Sequence, residues 1–452
     1  MLNLSGKKFQ VDAGLFRNGI KTSGFANFLL LCLKHGLAGF TAVLSMCFAL
    51  ASPIACATAQ DSSSTFDHSG PKKMSLDIRT LAEAGNTSAQ NQLGVMYSVG
   101  QGVRQDYQEA MRWFNRAAQQ GDPLAEFNLG LIYSKGLGTP QNKPEALKWF
   151  RKAAEQGHIK AQFNLGVMYE KGHGTPPNPQ EALKWYHTAE KQGDAWAQFN
   201  LGVMYERGSG VSQDRKEAFK WYHKAAEQGV DKAQFNLGVM YSTGPDRDDQ
   251  EALKWYLKAA ELGHIKAQFH LGLKYAYGHG VPRDDKEALK WLRLSAEQGY
   301  PKAQFNLGLM YANSQGVARN DSEAFKWYRL AAESGDSAAQ HNLASSYATG
   351  KGIPQDSQEA FKWYRNAAEK GETLSQFELG TIYLQAKGVN RDLVLAHMWF
   401  SIAAENGNEN ALESRETLIK LMTPPQIDEA RQLKQDCVQS NFKECSRKVW
   451  SF

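Results

Sequence analysis

Carboxylates recur at one spacing along this chain. Glu109, Glu145, Glu181, Glu217, Glu251, Glu287, Glu323 and Glu359 each follow an Asp or Asn by three positions: Asp106, Asn142, Asn178, Asp214, Asp248, Asp284, Asn320 and Asp356. Paired acids can do general acid–base work, and the run from Asp246 to Glu251 has the charge density of a cation site. Repetition argues against both. Catalysis needs one well-placed pair, whereas eight copies at helix starts read as capping boxes, an Asp or Asn N-cap with Glu three residues on. A ninth copy has Asp392 but Leu395, a broken box. The Asp246–Glu251 run lacks the spacing of a calcium loop.

The other reactive residue types are as scattered. Among the histidines, His158 and His264 sit at helix starts, His173 and His279 in Gly-His-Gly loops, and none forms a ligand pair. There is no Gly-x-Ser-x-Gly, His-Glu-x-x-His, phosphate loop or Cys-x-x-Cys. Lys148, Lys184, Lys220, Lys254, Lys290, Lys326 and Lys362 form a row that reads as a solvated helix face rather than an anion track. No catalytic residue, cofactor or metal site is assigned, and the chain reads as non-enzymatic. Cys437 and Cys445 are the one candidate disulfide. On a continuous helix they would stand about 12 Å apart, too far to bridge, so a turn around Gln439-Ser440-Asn441 is required. A disulfide and two free thiols both stay open.

The elements that carry these residues are set by tryptophan. Trp113, Trp149, Trp185, Trp221, Trp255, Trp291, Trp327, Trp363 and Trp399 recur every 36 residues, except for one step of 34. Only Trp196 and Trp450 lie outside the series. Such a period marks a solenoid, in which each repeat buries its apolar face on the next. In the third repeat, Ala161, Leu165, Met168 and Tyr169 make one helical face. Gly166 permits close helix approach, and Gly172-His173-Gly174 ends the helix. A second helix starts at Asn178, carries Ala182, Trp185, Tyr186 and Ala189, and stops at Gly193. The alanines let helices pack closely, and each Trp is expected to close its helix pair against the next repeat.

The ends differ. Residues 1–59 carry Lys7, Lys8, Arg17, Lys21 and Lys34 against Asp12 alone, then an uncharged run from Leu37 to Ala59. This reads as a signal peptide cleaved after Ala59; an uncleaved anchor is the alternative. Residues 60–73 read as a flexible linker. The leader supplies most of the formal charge of +5, so the near-neutral body argues against nucleic acid. Membrane contact is expected only through the N-terminal segment. After Gly407 the pattern breaks into capping helices over 411–436, the second opened by Thr423-Pro424-Pro425-Gln426, and then a basic tail over 437–452.

The fourth repeat, Ala197, Leu201-Gly202, Tyr205, Gly208, Gly210-Val211, Asp214, Glu217-Ala218, Trp221-Tyr222, Ala225-Ala226 and Gly229, closely resembles the Sel1-like repeat, a relative of the tetratricopeptide repeat. The resemblance covers nine units over 89–410, preceded by a half unit over 74–88. It implies an all-α fold, a right-handed α/α superhelical solenoid of about nine 36-residue helix-turn-helix repeats with a C-terminal capping helix pair. Departures are local: the fifth repeat is two residues short and reads Pro245-Asp246-Arg247-Asp248-Asp249, the seventh has Ser314 for a loop glycine, and the eighth has Ala344-Ser345-Ser346. Some cysteine-rich members of the family resemble penicillin-binding or β-lactamase-like proteins; the repeats here hold no cysteine.

The resemblance further implies a concave groove lined by the first helix of each repeat. That places there the row Phe127, Phe163, Phe199 and Phe235, with Asn128, Asn164, Asn200 and Asn236 beside it. Glu170 and Glu206 follow, then Lys135, Lys171 and Arg207. The Phe row has two open roles: packing between neighbouring first helices, or a peptide-binding surface. The expected function is that of an exported bacterial scaffold, periplasmic or at the envelope with secretion open, binding a protein or peptide along repeats two to five. An envelope enzyme, a cell-wall glycan or peptide-stem binder, a secreted effector and a structural spacer are the alternatives.

Overall fold

A computed structural model of the chain describes residues 71–443, apart from Asp246, together with Cys445. The expected signal peptide, the linker through Gly70 and the tail past Cys445 lie outside the described residues. Every regular element described is a helix. A leading α1 (Pro71–Glu83) precedes nine helix pairs. Their first helices are α2 (Thr87–Val99), α4 (Pro123–Lys135), α6 (Ile159–Lys171), α8 (Ala195–Arg207), α10 (Asp231–Thr243), α12 (Ile265–Tyr277), α14 (Pro301–Ala312), α16 (Ser337–Thr349) and α18 (Thr373–Gln385). Their second helices are α3 (Tyr107–Gln119), α5 (Lys143–Glu155), α7 (Pro179–Glu190), α9 (Arg215–Glu227), α11 (Asp249–Glu261), α13 (Asp285–Glu297), α15 (Asp321–Glu333), α17 (Ser357–Ala368) and α19 (Leu393–Glu405). Two further helices, α20 (Glu409–Ile419) and α21 (Pro424–Gln439), end the array. Helix α1 begins inside the stretch read as linker, opened by Pro71, where a missing N–H costs nothing. Two compact blocks divide the chain, one ending at Ala153 and the other beginning at Ala154.

The recurrent acids are caps, but not capping boxes. Asp214 Oδ1 accepts from the amides of Lys216 and Glu217, and Asp106, Asp248, Asp284 and Asp356 do the same at their helices. Asp392 caps equally well without a glutamate. The reciprocal half of the box is absent because each cap amide is already taken: Asp214 N donates to Tyr205 C=O at 2.9 Å, and Asp106 N to Tyr97 C=O at 2.9 Å. The freed glutamates instead pair with the lysine three residues on, as Glu217 with Lys220 at 3.2 Å and Glu287 with Lys290 at 3.0 Å. The acid row and the lysine row thus neutralise each other on an exposed helix face, each pair contributing about 0.5 kcal/mol or less.

Within a pair the second helix presents alanines and one large ring. Tyr222 is fully buried, and a Cβ added to Gly202 would lie 2.5 Å from its Cδ1. Glycine therefore admits the ring, whose burial stabilises the pair by about 2–3 kcal/mol. Tryptophan works in the opposite direction from that expected. Trp221 lies edge-on to His187 at 5.5 Å and Trp255 to His223 at 5.5 Å, so each indole seats on the second helix of the preceding repeat. The reason is its place one position before the Tyr, on the side of the helix turned toward that neighbour.

A buried amide ladder, with no counterpart in the sequence reading, runs beside these rings. Gln268 Nε2 donates to Ala260 C=O at 3.2 Å, and its Oε1 accepts from Gln298 Nε2 at 2.7 Å. Gln198 accepts likewise from Gln228 at 2.7 Å, and Gln376 from Asn406 at 2.9 Å. Where the outer residue is Leu262, Ser334 or Lys370, the Oε1 atoms of Gln234, Gln304 and Gln340 have no partner.

The short fifth repeat is repaired locally. In the sixth repeat Gly280 packs on the Asp249 backbone, where a Cβ would come 2.5 Å from Asp249 O. The fifth has no such glycine. Arg215 fills the place, its Nη2 donating to Met240 C=O at 3.1 Å beside Gly244.

At the C-terminus α19 is apolar on most of its surface. Leu395, Met398 and Trp399 face one core cluster, Val394, Phe400 and Ala403 another that includes Ala411, Leu418 and Ala430 of the last helices. Gln426 Oε1 accepts from Thr423 N at 2.9 Å to start α21. Cys437 lies within α21 and is buried, so the stretch read as tail begins inside the cap. Asn441 and Phe442 turn the chain with positive φ, and Cys437 and Cys445 are joined, Cα to Cα 4.5 Å.

Candidate partner-binding groove

The first helices position the candidate row, and the structure divides it. Phe127 and Asn128 leave the candidate set: Phe127 packs on Phe150 with ring centroids 5.7 Å apart, Asn128 Nδ2 donates to Asn91 Oδ1 at 3.1 Å, and both are buried. They and exposed Lys135 belong to the first block. Phe163, Phe199 and Phe235 in the second block are half-buried. Each leans on a tyrosine of its own pair rather than only on neighbouring first helices: Phe163 on Tyr186 at 5.9 Å, Phe199 on Tyr222 at 5.8 Å, Phe235 on Tyr256 at 5.9 Å. All three keep part of the ring exposed, Phe235 with the His264 imidazole stacked on it.

The polar candidates are partly committed to the scaffold. Glu170 accepts a 2.7 Å bond from Tyr186 Oη, and Glu206 one of 2.7 Å from Tyr222 Oη. Asn200 is aimed at the same Tyr186 hydroxyl and Asn236 at that of Tyr222, so each triad ties two consecutive repeats. Burial first, then the carboxylate, pushes both phenols far above their ordinary range. Asn164 is half-buried on α6, while Lys171 and Arg207 are exposed.

The candidates converge at one place. A cavity of about 660 Å³ opens between α8, α10 and α12, lined among others by Phe199, Glu206, Arg207, Phe235 and Asn236. Phe163, Asn164, Glu170 and Lys171 lie one repeat earlier, outside its wall. The cavity is therefore centred on repeats four to six. The lining also holds Lys232 and Lys266, which were not candidates, and His264, which the sequence marked only as a helix start. His264 stacks on Phe235 at 4.6 Å while its Nδ1 caps α12 through Ala267 N. At the rim Trp196 is 40% exposed, edge-on to Phe199 at 6.0 Å, with Lys232 Nζ 5.6 Å from its ring centroid. The signal for these residues was legible, since Trp196, Lys232 and Lys266 occupy one column of the repeat and, within the repeats, Trp196 stands outside the tryptophan period.

Among the described residues, no cluster of three His, Cys, Asp or Glu side chains is arranged to hold a metal ion, and no helix is long and apolar enough to cross a membrane. The arrangement offers flat aromatic surfaces, amide groups and fixed cations, the means of holding another chain.

The family model described as Sel1 repeat matches nine times, over residues 87–122, 123–158, 159–194, 197–230, 231–264, 265–300, 301–336, 337–372 and 373–408. No curated protein matches the chain. Among solved structures, a Sel1 repeat protein from Oxalobacter formigenes is 30% identical, with a TM-score of 0.53, covering 80% of this chain and 98% of its own. A protective antigen present in uropathogenic Escherichia coli strains, displaying an SLR fold, is 34% identical with a TM-score of 0.49, covering 82% of this chain and 96% of its own.

Proposed function

We propose, from the premise that this chain belongs to the Sel1 repeat family, that it is a non-enzymatic scaffold that holds a protein partner in the groove between α8, α10 and α12. Proteins built from these repeats generally mediate protein–protein interaction. The observation that carries the finer reading is the cavity lined by half-buried Phe199 and Phe235 beside Asn236 and Arg207. Large rigid side chains with partly free faces bury much area at little entropic cost, as interface hot spots do.

The protein is read as exported, on the uncharged Leu37–Ala59 run behind a basic leader. Fractionation with N-terminal sequencing tests that part: a mature chain starting near Gln60 outside the cytoplasm supports it, and an intact cytoplasmic chain overturns it.

The groove is tested by cross-linking pull-down with Phe199→Ala combined with Phe235→Ala. The partner recovered with the unaltered protein is expected to be lost while helical circular dichroism persists. Retention of the partner would place binding elsewhere, and recovery of cell-wall fragments alone would replace the protein partner with a glycan.

A further inference from the structure

In five consecutive repeats of the second block the second residue of the first helix forms a column, Lys160, Trp196, Lys232, Lys266 and Lys302; the two repeats that follow have Ala338 and Leu374 there. Lys160 is occupied, its Nζ 3.1 Å from Asp194 Oδ2. Lys232, Lys266 and Lys302 are exposed, and among the described residues none of them forms an ion pair with a carboxylate. This sets them apart from the lysines of the second helices, which pair with the glutamate three residues back. Lys232 and Lys266 line the cavity with Arg207, which is also exposed and without an ion pair.

The lining carries two carboxylates, Glu206, which accepts from Tyr222, and Asp231, against the three cations Arg207, Lys232 and Lys266, so the cavity is net positive. The neighbourhood of His270 reports the same imbalance. This ring stacks on Tyr256 at 5.3 Å and lies 5.7 Å from Phe235. Burial, then Lys302, Lys266, Lys274 and His264, all disfavour its charged form. Between Lys160 and Lys302 the lysine column is interrupted at Trp196, which sets an exposed indole beside Phe199. Uncompensated cations facing a concavity favour an anion, and the aromatic wall favours an apolar side chain next to it.

We propose that the cavity between α8, α10 and α12 takes an acidic segment of a protein partner: its carboxylates meet Arg207, Lys232 and Lys266 and, past the cavity on the next first helix, Lys302, and an adjoining aromatic or aliphatic side chain seats against Trp196, Phe199 and Phe235. This rests on the groove reading above and names the chemistry that fills the groove.

The test is fluorescence anisotropy on the full chain with a labelled peptide of about twelve residues, alternating Asp and Glu around one Phe. Its lysine counterpart and a version with Ser for Phe serve as comparisons. The acidic Phe peptide is expected to bind, the lysine peptide not, and affinity to fall as salt rises from about 0.05 to 0.3 M. Lys266→Glu with Lys302→Glu is expected to weaken binding about tenfold with unchanged helicity. Lys184→Glu with Lys220→Glu, on second helices, is expected to leave it unchanged, and Trp196→Ala to abolish the advantage of Phe over Ser. Equal binding of the lysine peptide, or no effect of the Lys266/Lys302 pair, overturns the proposal. So does a concentration-dependent dimer lost in that variant, which would make the occupant a second copy, or binding to phosphatidylglycerol vesicles lost in it, which would make it a membrane. If the lysine pair has no effect while Phe199→Ala with Phe235→Ala still loses the pulled-down partner, the groove stands and only the acidic chemistry falls.

Discussion

Tyr222 Oη donates to the Glu206 carboxylate at 2.7 Å, from the second helix of a repeat to the end of its first. Tyr186 and Glu170 repeat the bond at 2.7 Å one repeat earlier. Glu206, which lines the groove, is thus also the anchor of a fully buried phenol. Asn236 and Asn200 face the same hydroxyls from the following repeat.

These phenols make the fold sensitive to base. Burial, then Glu206, holds the Tyr222 proton on in the folded chain, whereas an unfolded tyrosine ionises near pH 10 (about 10). Tyr328 is pushed up to about 12, by burial and then Asp321. A folded pKa above the unfolded one gives stability that is complete below pH ~10 and declines as pH rises toward the folded values. The urea midpoint is expected to be flat from about pH 8 to 9.5 and to fall above. Tyr222→Phe should flatten part of that fall at a cost of about 1 kcal/mol at pH 8.

The acid side has the opposite sign. His270 is pushed down to about 4, chiefly by burial and then by Lys302, Lys266, Lys274 and His264. A folded pKa below the unfolded value of ~6.5 gives stability that is present above ~6.5 and is lost as pH falls toward about 4, at most about 3 kcal/mol for the group. Chemical denaturation at a series of pH values should show this limb, and His270→Phe, which keeps a ring against Tyr256, should shrink it.

The amide ladder predicts stabilising substitutions. Gln304 and Gln234 each bury an Oε1 without a partner, opposite Ser334 and Leu262. Ser334→Gln and Leu262→Gln restore the donor that Gln298 supplies to Gln268. Each is expected to add about 1 kcal/mol, and Gln228→Ala to cost about 1–2 kcal/mol by stranding Gln198. Thermal unfolding with the variants singly and combined checks this, since well-separated sites should add. No gain from either donor would mean the orphan atoms are already satisfied by water.

Arg215 is expected to matter more than a surface arginine. Its guanidinium closes the gap left by the short loop of the fifth repeat through Met240 C=O. Arg215→Ala should cost about 1–2 kcal/mol and raise amide hydrogen exchange around residues 241–248, whereas Lys216→Ala next to it should do neither.

How much was legible depends on range. The helix pairs, their Asp and Asn caps and their glycine ends are written within stretches of about ten residues, and ninefold repetition removed the ambiguity of any one stretch. What misled was competition for the same atoms. From sequence, Glu217 and Asp214 make a capping box. In the fold Tyr205 C=O already holds the Asp214 amide, so the glutamate turns to Lys220 instead. The direction in which Trp221 packs likewise depends on which neighbour its helix face meets, a relation the period leaves undetermined.

By itself the sequence determined an all-helical repeat array, the capped starts of the second helices, and the columns of Phe, Asn and Lys that recur through it, because local spacing and period dictate these. Tertiary structure alone decided which members of a column can meet a partner. Phe127 and Phe199 hold the same position in their repeats, yet one is buried and the other keeps part of its ring exposed. Trp196 and Lys232 become one rim only where α8 and α10 lie side by side. Exposure is a property of what packs around a residue, and identical repeats have different surroundings.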